Sequence, residues 1–425
     1  MTSIATCAVV GGGPAGLFGA YIAAVTAQEL GVAVEVKLYE RNQDPGKKLL
    51  LTGASQCNIT RNASVAHMLE HYGAHGRFLR SALYELSPER TMTLFNSLGL
   101  NLTVRDDDKV FPASFRASDV RDTLVEACRR HKVIIQNNTR IRKITYEHGI
   151  FTLKSDHHAD IQADSVILCT GGVSYPKTGS TGDGHQMLAS LGHTITDLRS
   201  GLCGVRVLDS TIGKCSGITL DRVSLSFTDS SGKRHHSHGP LLFTHTGLSG
   251  PVILNAVRYM PDHGTISICL LPRDSGKPSQ VQEIESRLRS LCASHGSAQL
   301  NTVLHRLGLP MKLIQWILHQ CTVDGTEKAA QISTSMYRML ATALVDQQFV
   351  ISLSGSRDQA MVTAGGASLA QFDPKTMESR LIPRLFCAGE LLDIDGDTGG
   401  YNLQAAWSTG AIAGMHAVRC FTRDS

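Results

Sequence analysis

The sequence predicts an α/β fold: a Rossmann-type nucleotide-binding domain interrupted by an inserted β-plus-α domain. Three observations carry that reading. A glycine-rich turn, Gly11-Gly12-Gly13-Pro14-Ala15-Gly16, stands between an apolar run and an Ala-rich run of helical spacing. Further short β-type runs end in glycine near residues 170 and 387. Between residues 201 and 354 the pattern changes, first to alternating β-type runs and then to helical ones.

The elements follow in order. Residues 4–10 are an apolar run bounded by glycines and read as a strand. Residues 15–30 read as a helix, with Gly31 placed to stop it. Residues 32–39 read as a second strand, so the opening is a βαβ unit of a parallel sheet. Residues 118–132 predict a helix capped by Ser118. Runs at 133–135, 141–146 and 150–153 predict a meander, and residues 164–170 a buried strand running into Gly171-Gly172. The insertion predicts strands around 223–227 and 265–271, then helices within 278–347 (281–291, 311–319 and 329–345). The expected domains are 1–200, 201–354 and 355–425, the first and last forming one discontinuous unit.

Composition narrows the function. Of 425 residues, 40 are Gly, a share above the usual level of about 7%. Apolar residues at 42% and charged residues at 18% exclude a disordered chain. A net charge of +4 is too small by itself to argue for nucleic acid or an anionic membrane. The 11 cysteines are dispersed with no C-x-x-C pair, which fits a reducing compartment. No run reaches the roughly 18 apolar residues of a membrane span. The N-terminal apolar stretch lacks the basic start of a signal peptide. The expectation is a soluble, cytoplasmic protein with no membrane or nucleic-acid partner.

The glycine turn matches G-x-G-x-x-G at Gly11, Gly13 and Gly16. The first glycine permits the tight turn and the second lets backbone approach a pyrophosphate. The third lets helix and strand pack closely, and the helix start offers N–H groups to the anion. Glu40 ends the next strand, where a carboxylate accepts from ribose hydroxyls. Thr170-Gly171-Gly172 is a second turn placed to pass a bound dinucleotide. Residues 385–390 form a strand ending in Gly389-Glu390, and Asp393 to Asp395 an acidic turn. Gly399-Gly400 then opens an Ala-rich helix through Tyr401-Asn402-Leu403. A helix start there suits the negative charge of a reduced flavin, so FAD is favoured over NAD.

Longer motifs extend these: Gly46-Lys47-Lys48-Leu49-Leu50-Leu51-Thr52-Gly53, Cys57-Asn58, Val110-Phe111-Pro112, residues 170–184, residues 239–251, Val362-Thr363-Ala364-Gly365-Gly366 and residues 376–407. On these motifs the chain resembles the aminoacetone-oxidase-like (BaiN-type) FAD-dependent flavoproteins over nearly its whole length. The resemblance implies an FAD domain of the glutathione-reductase class. It implies FAD contacts along Gly11, Gly13, Pro14, Ala15 and Gly16, at Glu40 and Arg41, and at Lys48 and the Ile141 backbone. It extends them to Thr170, Gly171, Gly172, Gly389, Glu390 and Asp395, and to Gly400, Tyr401, Asn402 and Leu403. One departure stands out: Ser55 and Gln56 occupy positions where the family carries glycine and a basic residue, and Arg61 stands where Asn is common.

The residues around these motifs carry further expectations. Cys57 and Asn58 are placed beside the cofactor, Cys57 as a packing thiol because no partner cysteine is near it. Lys47 and Lys48 are placed to meet phosphate. His245 and Tyr175 are the weak catalytic candidates; no acid or base stands out. His235, His236 and His238 suit no standard metal site, and no metal is expected. Asp106-Asp107-Asp108 reads as a solvated turn. Met336, Met339, Leu340 and Leu344 read as core by their spacing.

The expected activity is a FAD-dependent oxidoreductase. It would move two electrons between a small organic substrate, an amine or an unsaturated compound, and O2 or NAD(P)H. The absence of a second fingerprint favours either direct oxidation of the substrate or transient docking of NAD(P)H. An RNA-modifying flavoprotein and a non-catalytic FAD-binding redox sensor are the alternatives. Oligomeric state is left open.

Overall fold

The computed structural model describes residues 4–156, 159–271, 281–354 and 360–422. The start of the expected 278–347 helical stretch and the beginning of the expected 355–425 domain lie outside the described residues. The chain forms two compact units, one of Met1–Gly201 with Ala360–Ser425 and one of Leu202–Gln359.

The first unit is built on a parallel five-stranded sheet. Its order is Leu385–Cys387, Ser165–Leu168, Ala5–Val10, Val34–Tyr39 and Ile134–Gln136. The central strand is buried from Cys7 to Val10, as a parallel strand covered on both faces must be. The first helix, Pro14–Leu30, starts with Pro, whose fixed φ suits the first helical position. It ends at Gly31 in the left-handed region, with Gly31 N–H returning to Gln28 O and Val32 N–H to Ala27 O. This double closure carries the chain past Val32, so the second strand begins at Val34 rather than 32.

The C-terminal helix, Tyr401–Arg419, packs on the first helix through small residues. A Cβ on Gly410 would lie 2.5 Å from Ala15 O, and one on Gly414 2.2 Å from Gly19 O. Three helices absent from the sequence reading, Val65–Glu70, Gly76–Glu85 and Pro88–Ser97, flank this pair. The helix expected from Ser118 instead spans Ala117–Arg130 without a side-chain cap. The Ser118 hydroxyl donates to Asp119 (3.1 Å).

The second unit is a closed six-stranded barrel plus helices. The barrel order is Val205–Val207, Gly247–Ser249, Arg234–Phe243, Thr219–Thr228, Thr265–Cys269 and Gln347–Ser352. Leu225, Phe227, Ile266, Ile268, Phe349 and Ile351 alternate inward and are buried. Helices run over Val281–Ser294, Leu300–His305, Met311–Gln320 and Thr334–Val345. The last starts later than expected because Ser333 caps it, accepting from Met336 N–H. On it Leu340 and Leu344 are core, but Met339 is 40% exposed and Met336 only partly buried, which corrects their reading as core.

Candidate functional site

The glycine turn opens onto a cavity of about 1320 Å³, counted out to its solvent mouth, wholly within the first unit. The cavity is lined by Gly11, Gly13, Pro14 and Ala15 of the turn, then by Glu40, Arg41, Lys48 and Ile141. Thr170 and Gly171 border it, as do Gly389, Glu390, Asn402 and Leu403. Segments separated by hundreds of residues thus meet on one space.

The turn has the geometry that pyrophosphate binding needs. Gly11 has φ +103°, and a Cβ on it would sit 2.6 Å from Cys169 O. A Cβ on Gly16 would sit 1.8 Å from Gly11 O, so Gly16 serves helix–strand packing and lies off the cavity wall. Gly13 has open space on its Cβ side. The first helix points its N-terminus at the same space.

Two charged groups stand on the wall. Glu40 Oε2 accepts from Gly12 N–H (2.7 Å), and Oε1 accepts from the Asn42 backbone N–H (2.8 Å) and side chain (2.7 Å). A carboxylate has about four acceptor positions, so capacity is left for ribose hydroxyls. Burial raises the Glu40 carboxyl above the usual range, against these hydrogen bonds. Beside it Arg41 reaches Gly179 O (3.1 Å) and Thr181 Oγ1 (2.7 Å), and Arg140 grips Asp183 with two bonds of 2.7 and 2.8 Å.

The other group joins Lys48 to Glu390. Lys48 Nζ donates to Glu390 Oε2 and to Ser174 Oγ, both at 2.6 Å. Glu390 Oε1 accepts from Ser174 Oγ and Thr363 N–H, both at 2.8 Å. Burial works against the Glu390 carboxylate, yet Lys48 and the hydrogen bonds hold it below the usual range. Sequence reasoning missed Ser174, Thr363, Asp183 and Arg140 as partners. The first three lie inside quoted motifs; their signal was visible, their contacts were not.

Several expected contacts stand elsewhere. Gly172, Asp395, Gly400 and Tyr401 do not border the cavity. A Cβ on Gly172 would lie 2.1 Å from Thr363 Oγ1, and one on Gly400 2.6 Å from Thr60 O; both glycines admit neighbouring protein. Asp395 is buried in the loop before the C-terminal helix. The Tyr401 ring stacks on His71 with centroids 4.3 Å apart, and its hydroxyl lies 3.3 Å from His67 Nε2.

Cys57 and Asn58 are also off the wall. Cys57 is fully buried, and burial lifts its thiol to about 12, so it is no thiolate. The Asn58 amide donates to Thr60 O (2.8 Å) and Val110 O (3.2 Å) and accepts from Gly400 N–H (3.0 Å). Tyr175 likewise lies off the wall, with its own φ at 52°. In the second unit His245 is exposed in the turn after Phe243. His235 turns inward between Phe227 and Tyr259, whereas His236 and His238 face outward, as strand alternation requires.

The departure from the family pattern has a structural counterpart. Gly53, Ala54, Ser55 and Cys57 all have positive φ (56°, 54°, 68° and 60°), a conformation costly for side chains other than glycine. Ala117 N–H to Ser55 O (2.9 Å) and Cys57 N–H to Thr52 O (3.0 Å) hold it. The Arg105 guanidinium lies 4.2 Å over the Phe111 ring and donates to Gln56 Oε1 (2.8 Å). A positive charge therefore reaches this loop from the turn that follows the strand Leu102–Val104.

FAD suits the cavity on its own features. The Gly11 and Gly13 backbone and the start of the first helix border it, and Glu40 keeps one acceptor position unused on its wall.

Comparison with known proteins agrees with this geometry. The family described as HI0933-like protein Rossmann domain matches residues 5–416. The chain is 28% identical over 415 residues to a 3-dehydro-bile acid delta(4,6)-reductase of Clostridium scindens, covering 96% of this chain and 98% of that one. It is 28% identical over 407 residues to a ribosomal RNA dihydrouridine synthase of Haemophilus influenzae, covering 94% and 95%. Among solved structures it resembles a 3-ketosteroid-delta4-(5alpha)-dehydrogenase of Rhodococcus jostii, with a TM-score of 0.50 at 14% identity and 98% of both chains covered. That likeness bears on the fold, which is the Rossmann-like FAD-binding fold. The chain belongs to the HI0933-like Rossmann-domain family.

Proposed function

We propose that the protein is an FAD-dependent oxidoreductase that reduces a carbon–carbon double bond conjugated to a carbonyl, with NAD(P)H as electron donor. The observation that carries the cofactor is the single cavity on which the fingerprint turn, Glu40, the Thr170 turn and the start of the C-terminal helix meet. The reaction class draws support from the relatives. A delta(4,6)-reductase of a 3-dehydro compound and a dihydrouridine synthase both add hydrogen across a double bond near a carbonyl. Of the two substrate classes expected from sequence, this favours the unsaturated compound over the amine. On this reading the FAD domain is of the glutathione-reductase class, in keeping with the resemblance to the BaiN-type flavoproteins.

FAD supplies the two-electron chemistry when bound. The chain's residues do the rest. Glu40 would accept from the ribose of the nucleotide half, and Gly13 with the helix start would receive the pyrophosphate. Gly389, Asn402 and Leu403 would hold the flavin half.

The test is spectroscopic. Purified protein is expected to be yellow, to bleach anaerobically with NAD(P)H, and to regain colour with a conjugated enone. A colourless protein that takes up no added FAD would sink the proposal. Bleaching by an amine but not by NAD(P)H would return the reading to amine oxidation.

A second reading places the double bond in a uridine of ribosomal RNA. The Haemophilus relative favours it, as does the distribution of charge. The first unit carries 26 Lys and Arg against 26 Asp and Glu, and the second 15 against 11, so the whole net charge sits in the second unit. Incubation with ribosomal RNA and NAD(P)H, followed by mass spectrometry for dihydrouridine, decides between an RNA and a small-molecule substrate.

A further inference from the structure

The sequence reads Lys48 as a phosphate contact, but the structure gives it another setting. The charges at the Glu40 end are already matched to one another. Arg41 and Arg140 both bond Asp183, and Glu40 is held by backbone and Asn42 donors. Lys48 instead reaches residues far along the chain. It bridges the 46–52 segment to Ser174 and to Glu390, and through Glu390 to Thr363. Its ammonium is mostly buried, with the Lys48 and Glu390 side chains 19% and 21% exposed. Both line the cavity, as do Gly389, Asn402 and Leu403. Three donors sit on an ammonium and two are used by these partners.

Glu40 and the fingerprint turn commit their part of the wall to the nucleotide half. The Lys48–Glu390 pair shares its stretch of wall with Gly389, Asn402 and Leu403, which the functional reading above gives to the flavin half. Hydride from a reduced nicotinamide leaves that donor as a cation. It brings two electrons and one proton to the flavin, which becomes more negative by one charge. A fixed ammonium in a largely buried wall stabilises such a charge more than water does, and a neighbouring carboxylate opposes it.

Resting on the FAD reading above, we propose that Lys48 and Glu390 together set the reduction potential of the flavin. Lys48 favours the reduced form, and Glu390 both positions Lys48 and tempers its charge.

The two charges give opposite signs, which makes the pair testable. Flavin midpoint potential, FAD dissociation constant and thermal melting are measured for the wild type and for Lys48→Met, Lys48→Arg, Glu390→Gln and Ser174→Ala. Lys48→Met is expected to disfavour reduced flavin about tenfold, which is about 30 mV for a two-electron couple. Glu390→Gln is expected to shift the potential the other way. Lys48→Arg keeps the charge and is expected to keep the potential, and Ser174→Ala to move it least.

A Lys48→Met protein that binds FAD more weakly at an unchanged potential would make Lys48 a phosphate clamp and overturn the proposal. So would shifts of the same sign in Lys48→Met and Glu390→Gln, or no shift in either. If Lys48→Met does not fold, the sign of the Glu390→Gln shift against an unmoved Lys48→Arg decides. A wild type that takes no FAD sinks the functional reading as well, whereas a potential indifferent to both charges sinks only this one.

Discussion

The two units bury their cores in different ways. In the first, two long helices cross on backbone, with Gly19, Gly410 and Gly414 leaving no room for side chains. In the second, a barrel interdigitates large side chains such as Phe227, Ile268 and Phe349 in period-two alternation. The first arrangement has no slack, because backbone cannot retreat from an added atom. The second loses contacts when atoms are removed and relaxes in part. The cofactor cavity lies in the unit with no slack, where backbone must approach a ligand closely and hold its place.

Substitution at the glycines should break that contrast most severely. Gly414→Val is expected to abolish folded yield, because its Cβ would meet Gly19 O at 2.2 Å and nothing flexible can give way. Expression and gel filtration check this. In the barrel, Ile268→Ala should cost about 2–5 kcal/mol, as large-to-small core changes do. Chemical denaturation measures the loss, and the folded fraction should still take up FAD.

Next in size comes the acid response of the nucleotide end. Burial raises Glu40, so it takes up a proton on acidification above the usual carboxylate range of about 4.3. In that window the native state is protonated while the unfolded chain is not. Stability attributable to Glu40 therefore rises as pH falls, while its ribose acceptor is lost. Glu390 shifts the opposite way: its contribution is full above the usual range and is lost only below it. FAD affinity should thus weaken through Glu40 as pH falls toward the usual carboxylate range, before ordinary carboxylates titrate, and Glu40→Gln should flatten that profile. Fluorescence titration of FAD across this range measures it.

The smallest effect should come from Cys57. With its thiol raised to about 12, it should resist iodoacetamide in the native protein, and Cys57→Ala should leave the flavin spectrum unchanged. Labelling with mass spectrometry checks the first point and absorbance the second.

How far the site was legible depends on how local each signal is. Gly11, Gly13, Gly16 and Glu40 follow from the spacing of one βαβ unit, and the structure gives each the surroundings that spacing demands. Gly31 as a helix stop is equally local. Tyr401 and Gly400 stand off the cavity lining because a helix start shows where its first turn points but not which side chains face the cavity. Met339 was misjudged because helical spacing marks a face and not its width. The helices between residues 65 and 97 were missed although their apolar stripe is present: Met68, Leu79, Ala82, Leu83 and Phe95 are buried, and Val65, Leu69, Phe78 and Leu94 pack beside them.

What the sequence determined by itself is therefore the short-range chemistry: the glycine turn, the acidic end of the second strand, the α/β class and the dinucleotide scale of the ligand. Backbone conformation over a few residues dictates these, and glycine records it directly. What only the tertiary structure decided is the pairing of charges. Lys48 and Glu390 are 342 residues apart, and Arg140 and Asp183 are 43 apart. A charge acts over a few ångströms of space whatever the length of chain between. Its role appears only once folding has chosen its neighbours.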